Sequence, residues 1–142
     1  MTTGNGVPVR VGYVPAYELH GNVCVSASLC YAGGFSDEEV GGVFPIVNGR
    51  PSSPIAVTGR VYGIGCARGV CTFASAQVLG VPLTQGRLGT IRDGHVVTDV
   101  EVGRVSTFFN DVTVVGSTYT AIGLIPTGTA TVIVSGPVGT TP

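Results

Sequence analysis

Gly, Pro, Asn and Asp interrupt this chain about every 8–12 residues, and the runs between them are strand-sized. Apolar residues alternate within those runs. Val7, Val9, Val11 and Tyr13 fall on one face of the first, with Pro8 and Pro15 marking an edge strand. Val23, Val25, Ala27 and Leu29 fall on one face of residues 23–31, with Cys24, Ser26, Ser28 and Cys30 on the other. A period of two is the pattern of half-buried strands. Strands are expected over 55–64 and 70–79, with a four-residue turn, Ala67-Arg68-Gly69-Val70, between the flanking cysteines. Strands are also expected over 89–92 and 95–102, around the strong hairpin signal Asp93-Gly94. Asn110-Asp111 suggests a further turn between 105–109 and 112–115, and Pro126-Thr127-Gly128 joins 118–125 to 129–135. Residues 48–54 read as a loop.

About ten short strands with frequent turns predict an all-β domain, a compact barrel or sandwich. The one helix signal is the capping box Ser36-Asp37-Glu38-Glu39, which predicts a single helical turn near 36–40, stopped by Gly41 and Gly42. The expected organisation is a flexible N-terminal arm at 1–6, one β domain at 7–135 and a C-terminal tail at 136–142.

Charge narrows the function. The 142 residues include 23 Gly, 25 Val and 16 Thr, but only 11% are charged, and all seven basic residues are Arg. A net charge of −1 does not suit phosphate backbones, so no nucleic-acid partner is expected. A mean hydropathy of +0.46 excludes intrinsic disorder. The glycine content opposes long helices. No run approaches the roughly 20 apolar residues of a membrane helix. Residues 1–6 lack the basic flank and apolar run of a secretory signal, so the expectation is synthesis in the cytoplasm and no membrane partner.

Across an extended strand over 23–31, Cys24 and Cys30 would lie about 20 Å apart and could pair only if the chain turned between them. Cys66 and Cys71 flank a hairpin turn that would bring them into cross-strand contact, so this pair is the candidate disulfide. Free buried thiols in a reduced compartment are the other reading. Spacings of five and six do not match common zinc modules.

No catalytic constellation stands out, and neither a cofactor nor a metal is expected. His20 lies in a polar stretch read as a turn. His95, Asp99 and Glu101 would share a strand face near Asp93, which offers cation ligands or simply a solvated hairpin. No Gly-x-Ser-x-Gly elbow is present, and the Gly pairs lie between β runs rather than opening a helix.

A free monomer ordinarily carries about 25–35% charged residues on its surface. This chain cannot, which predicts that part of its surface is covered by other subunits. Arg and Tyr are favoured at interfaces, and Arg50, Arg60, Arg68, Tyr13 and Tyr17 are the candidate contacts.

The segment Thr120-Ala121-Ile122-Gly123-Leu124-Ile125-Pro126-Thr127-Gly128-Thr129-Ala130-Thr131-Val132-Ile133-Val134-Ser135-Gly136 resembles the closing segment of small β-rich head-decoration (cement) proteins of tailed bacteriophages. Those end in an Ala-Ile-Gly-apolar strand, a Thr/Gly/Ala turn and a Val-rich strand. The resemblance implies a virion protein, often trimeric, bound to the major capsid protein on the outer face of an icosahedral shell, where it staples neighbouring capsomers. The alternatives are another virion subunit (tail tube, connector or small coat protein) and a small β-barrel ligand-binding module.

Overall fold

A computed structural model describes residues 3–4, 7–8, 13–14, 16, 18–36, 40–80, 83–105, 107–125 and 130–140. Strands β1 (Thr3–Gly4) and β2 (Val7–Pro8) form a two-residue antiparallel ladder. The first sheet contains β3 (Glu18–Cys24), β4 (Leu29–Phe35), β5 (Gly41–Val47), β6 (Arg50–Pro51) and β7 (Ile55–Val57). Its order is β3-β4-β5-β6, and β7 pairs with the other end of β5. The second sheet is β8 (Arg60–Ala67), β9 (Val70–Gly80), β10 (Leu83–Arg92) and β11 (His95–Val105), a meander in chain order. The third is β12 (Phe108–Val115), β13 (Thr118–Ile125) and β14 (Ala130–Pro137).

The chain is therefore all-β, with every pairing antiparallel. It does not close into a barrel. The second sheet is instead a middle layer. On one side Val61, Ile64, Cys71, Phe73 and Ile91 pack with Tyr31, Val43 and Val57 of the first sheet. On the other side Ala74 and Leu88 pack with Phe109, Val112, Tyr119 and Ala121 of the third. Burial of both faces leaves β9 with six consecutive buried residues, Cys71 to Ala76, where simple alternation would expose every second one.

Turn chemistry sets the hairpins. Asn48-Gly49, Arg68-Gly69 and Asp93-Gly94 each place two successive residues at positive φ, the requirement of the two-residue turn that matches strand twist. The Asp93-Gly94 hairpin forms as the sequence predicts, and the turn between the cysteines tightens to Arg68-Gly69 alone.

Other expectations are corrected. Asn110-Asp111 is not a turn: β12 runs through it, with a register shift between Phe109 and Asp111 absorbing the extra residue. Residues 23–31 are not one strand, because bends at residues 25–28 fold β3 back onto β4. The predicted strand at 55–64 breaks at Thr58-Gly59. The predicted helical turn near 36–40 falls mainly on residues 37–39, outside the described residues. At its described ends, Ser36 N–H donates to the Val40 carbonyl and Val40 N–H to Ser36 Oγ, the closure of a β4–β5 hairpin. Most of the expected arm at 1–6 also lies outside the described residues, while Thr3–Gly4 pairs with β2. The expected tail begins inside β14, and Val138 N–H donates to the Ser117 carbonyl.

Close layer contact depends on glycine at two positions of β8. A Cβ on Gly63 would strike the backbone of Asp111 and Val112, and one on Gly65 would strike Val114, so β12 rests directly on the β8 backbone. Gly63→Ala should lower stability by about 1–3 kcal/mol, the usual effect of overpacking. Urea denaturation reads this directly, and an unchanged midpoint would contradict the contact. Tyr119, buried in the second core, has its phenol pKa raised by desolvation. The unfolded chain therefore releases this proton first, and stability should fall as pH rises past about 10. Denaturation midpoints across that range should show the loss, and Tyr119→Phe should flatten it.

Candidate functional site

The acidic cluster suggested by the β11 sequence does not assemble. An unbulged hairpin at Asp93-Gly94 would place Arg87 opposite Val100. A register shift after Thr90, with Val97 as the extra residue, instead sets Arg87 opposite Glu101 and Gly89 opposite Asp99. The same bulge reverses alternation, so His95 and Asp99 point to opposite faces. Among the described residues no three metal-competent side chains converge.

The bulge builds an ion-pair clamp that the sequence reading missed. Arg87 Nε donates to Asp99 Oδ1 at 2.7 Å, and Arg87 Nη2 donates to the Asp99 carbonyl at 2.9 Å. Thr58 N–H donates to Asp99 Oδ2 at 3.1 Å. Arg87 Nη1 also reaches Gln77 Oε1 at 3.3 Å and Glu101 Oε1 at 3.5 Å. With Arg87 and Asp99 side chains only 13% and 14% exposed, the clamp ties β9, β10 and β11 to the turn after β7. Beside it lies an open depression of about 250 Å³ lined by Thr58, Gly59, Arg60, Ala76, Gln77 and Val78. Among the described residues its lining offers hydroxyl, amide and guanidinium groups and no carboxylate, imidazole or thiol, so it can hydrogen-bond a ligand.

His20 is likewise not in a turn. It lies in β3 at a register shift, 3.1 Å from Glu18, stacked on Phe35 and 4.6 Å from the Tyr62 ring. Tyr62 is the extra residue of the β8 bulge and meets Phe108 at 4.6 Å between centroids. This aromatic row joins β3, β8 and β12, one strand from each sheet. Arg60 adds a cation–π contact 4.5 Å over Phe35.

The candidate interface residues do not gather on one strand face. Tyr13 is 88% exposed, Arg50 and Arg68 are exposed beside two different hairpin turns, and Arg60 packs on Phe35. Tyr17 lies outside the described residues.

A continuous exposed surface is found instead on the outer face of the third sheet. Cross-strand register places Thr113 beside Thr120 and Ser135, Asp111 beside Ile122 and Ile133, and Leu124 beside Thr131. Val115 is 77% exposed, Ile133 66%, Ile122 46% and Leu124 41%. Asp111 alone among these carries a charge, and its Oδ1 accepts from Val112 N–H. Inward-facing Tyr119, Ala121, Val132 and Val134 hold this sheet on the second core, so the alternation that fixes the fold also presents the apolar side chains outward. Surface of this kind in soluble proteins marks sites of association.

Comparison with protein-family models, with curated proteins and with solved structures finds no match to this chain.

All four cysteines are paired, Cys24 with Cys30 and Cys66 with Cys71. The second is the candidate disulfide of the sequence; the first replaces the free-thiol reading, because the turn at 25–28 sets Cys24 opposite Cys30. Mass spectrometry of unreduced protein should show two protons lost from each hairpin. Alkylation of any of the four thiols without reductant would contradict the pairing.

Proposed function

We propose that this chain is a non-catalytic assembly subunit that decorates and stabilises the outside of a virion shell, with the outer face of β12–β14 as its contact surface. The observation that carries the reading is that face: Val115, Ile122, Leu124 and Ile133 exposed together on a sheet with almost no charge. The segment that resembles phage cement proteins, 120–136, falls within β13, β14 and their connection, so the resemblance and the apolar surface coincide. Two disulfides support a working place in oxidising surroundings, outside the cytosol. The partner is then the major capsid protein or another shell protein, and the chain works as a homo-oligomer.

Co-sedimentation with expanded icosahedral shells from the same source tests this. The protein should pellet with shells and not with free DNA. The double substitution Ile122→Glu and Leu124→Glu should weaken shell binding roughly tenfold or more, as loss of central apolar contacts does. Both positions face outward, so the denaturation midpoint should stay near that of the parent. Failure of the parent protein to bind shells, or equal binding by the variant, would overturn the reading.

A further inference from the structure

The third sheet is open along β14. In the order β12-β13-β14, β13 pairs one side of β14, and among the described residues no strand pairs the other. An unpaired strand side is a row of backbone donors and acceptors that another strand can complete. Proteins usually guard such rows with Lys, with inward charges or with central prolines. Here Ala130–Pro137 contains no charged residue, and its one proline is terminal.

The identity of the occupant follows from charge. When an outer strand pairs antiparallel with the same strand of a second copy, the residue on the axis meets itself and residues equally spaced on either side meet each other, so charges near the axis come close to like charges of the copy, which is destabilising. Of the outer strands of the second sheet, β11 carries His95, Asp99, Glu101 and Arg104, and β8 begins with Arg60 and is packed against β12. In the first sheet, the outer strand β3 carries Glu18 and His20. The other outer strand of the third sheet, β12, carries Asp111 and rests on β8. β14 pairs with itself at no electrostatic cost.

We infer that two copies of this chain associate about a two-fold axis by antiparallel pairing of β14 with β14, forming one six-stranded sheet. Outward side chains must meet outward side chains, which restricts the register. The register centred on Ile133 sets Ile133 against its own copy and Thr131 against Ser135. It extends the Ile122–Ile133 row into four isoleucines across the joint, and it doubles a face on which Asp111 carries the one charge among the described residues. The inference rests on the assembly reading and replaces the threefold arrangement that the cement-protein resemblance implies.

Light scattering and a register test read it out. The protein should have twice the 14.3 kDa chain mass. Directly opposed residues in antiparallel strands have Cα atoms about 4.5–5.5 Å apart, within disulfide reach. Ile133→Cys should therefore form a covalent dimer on oxidation, with the cross-link mapped to residue 133. Leu124→Cys, about 19 Å from its copy across three strand spacings and four residues along the strand, should not. Thr131→Lys with Ser135→Lys should dissociate the dimer, whereas Thr131→Lys with Ser135→Glu should retain it. A monomer at all concentrations, a trimer, or a dimer without the residue-133 cross-link would overturn the pairing. Shell co-sedimentation is scored separately, so a trimer that binds shells overturns the pairing and leaves the assembly reading standing, whereas a monomer overturns both.

Discussion

A strand with packed layers above and below has no solvent face on which to place charge. β9 is in that position, and the architecture follows from it: the first sheet must cover one side of the middle layer and the third sheet the other. Small residues make this possible. Ala74 and Ala76 let the third sheet approach, and Gly63 and Gly65 let the β12 backbone rest on β8. Buried polar groups on the middle layer are short and uncharged. Ser75 Oγ donates to the Thr58 carbonyl, and Gln85 Nε2 to the Gly86 and Val102 carbonyls.

This changes the meaning of the low charge. From the sequence alone, the shortage predicts surface covered by other subunits. Part of it belongs inside, because Thr72, Ser75, Gln85, Thr90 and Thr107 are buried polar residues that would have been counted as surface. The remainder is concentrated on the third sheet, where β13 and β14 alternate and the outward residues are apolar, Thr or Ser apart from Asp111. One chain-wide deficit thus has two sources, a two-sided middle layer and one outer face with almost no charge.

Features governed by local chemistry were legible in the sequence. Asp93-Gly94 turns because two successive positive φ angles are needed, and residues 118–125 and 130–135 alternate as strands do. Four of the misreadings share a cause: the insertion of one residue into a ladder leaves no signature in composition or period. Val97 moves Arg87 from Val100 to a place between Asp99 and Glu101, and so creates the clamp. His20 and Tyr62 at bulges build the aromatic row, and Asn110 lets β12 continue where a turn was expected. Burial of β9 on both faces was equally hidden, since Thr and Ser serve a packed layer as readily as a wet surface.

Each disulfide lies within one hairpin, with its partners six and five positions apart, and neither joins two sheets. The wider topology is also sequential: each of the three main sheets is built from its own continuous stretch of chain. Oxidation is therefore uncoupled from the path by which the layers find one another. Neither bond sets how the three layers are placed against one another, because each fastens only the ends of strands that are already hydrogen-bonded neighbours.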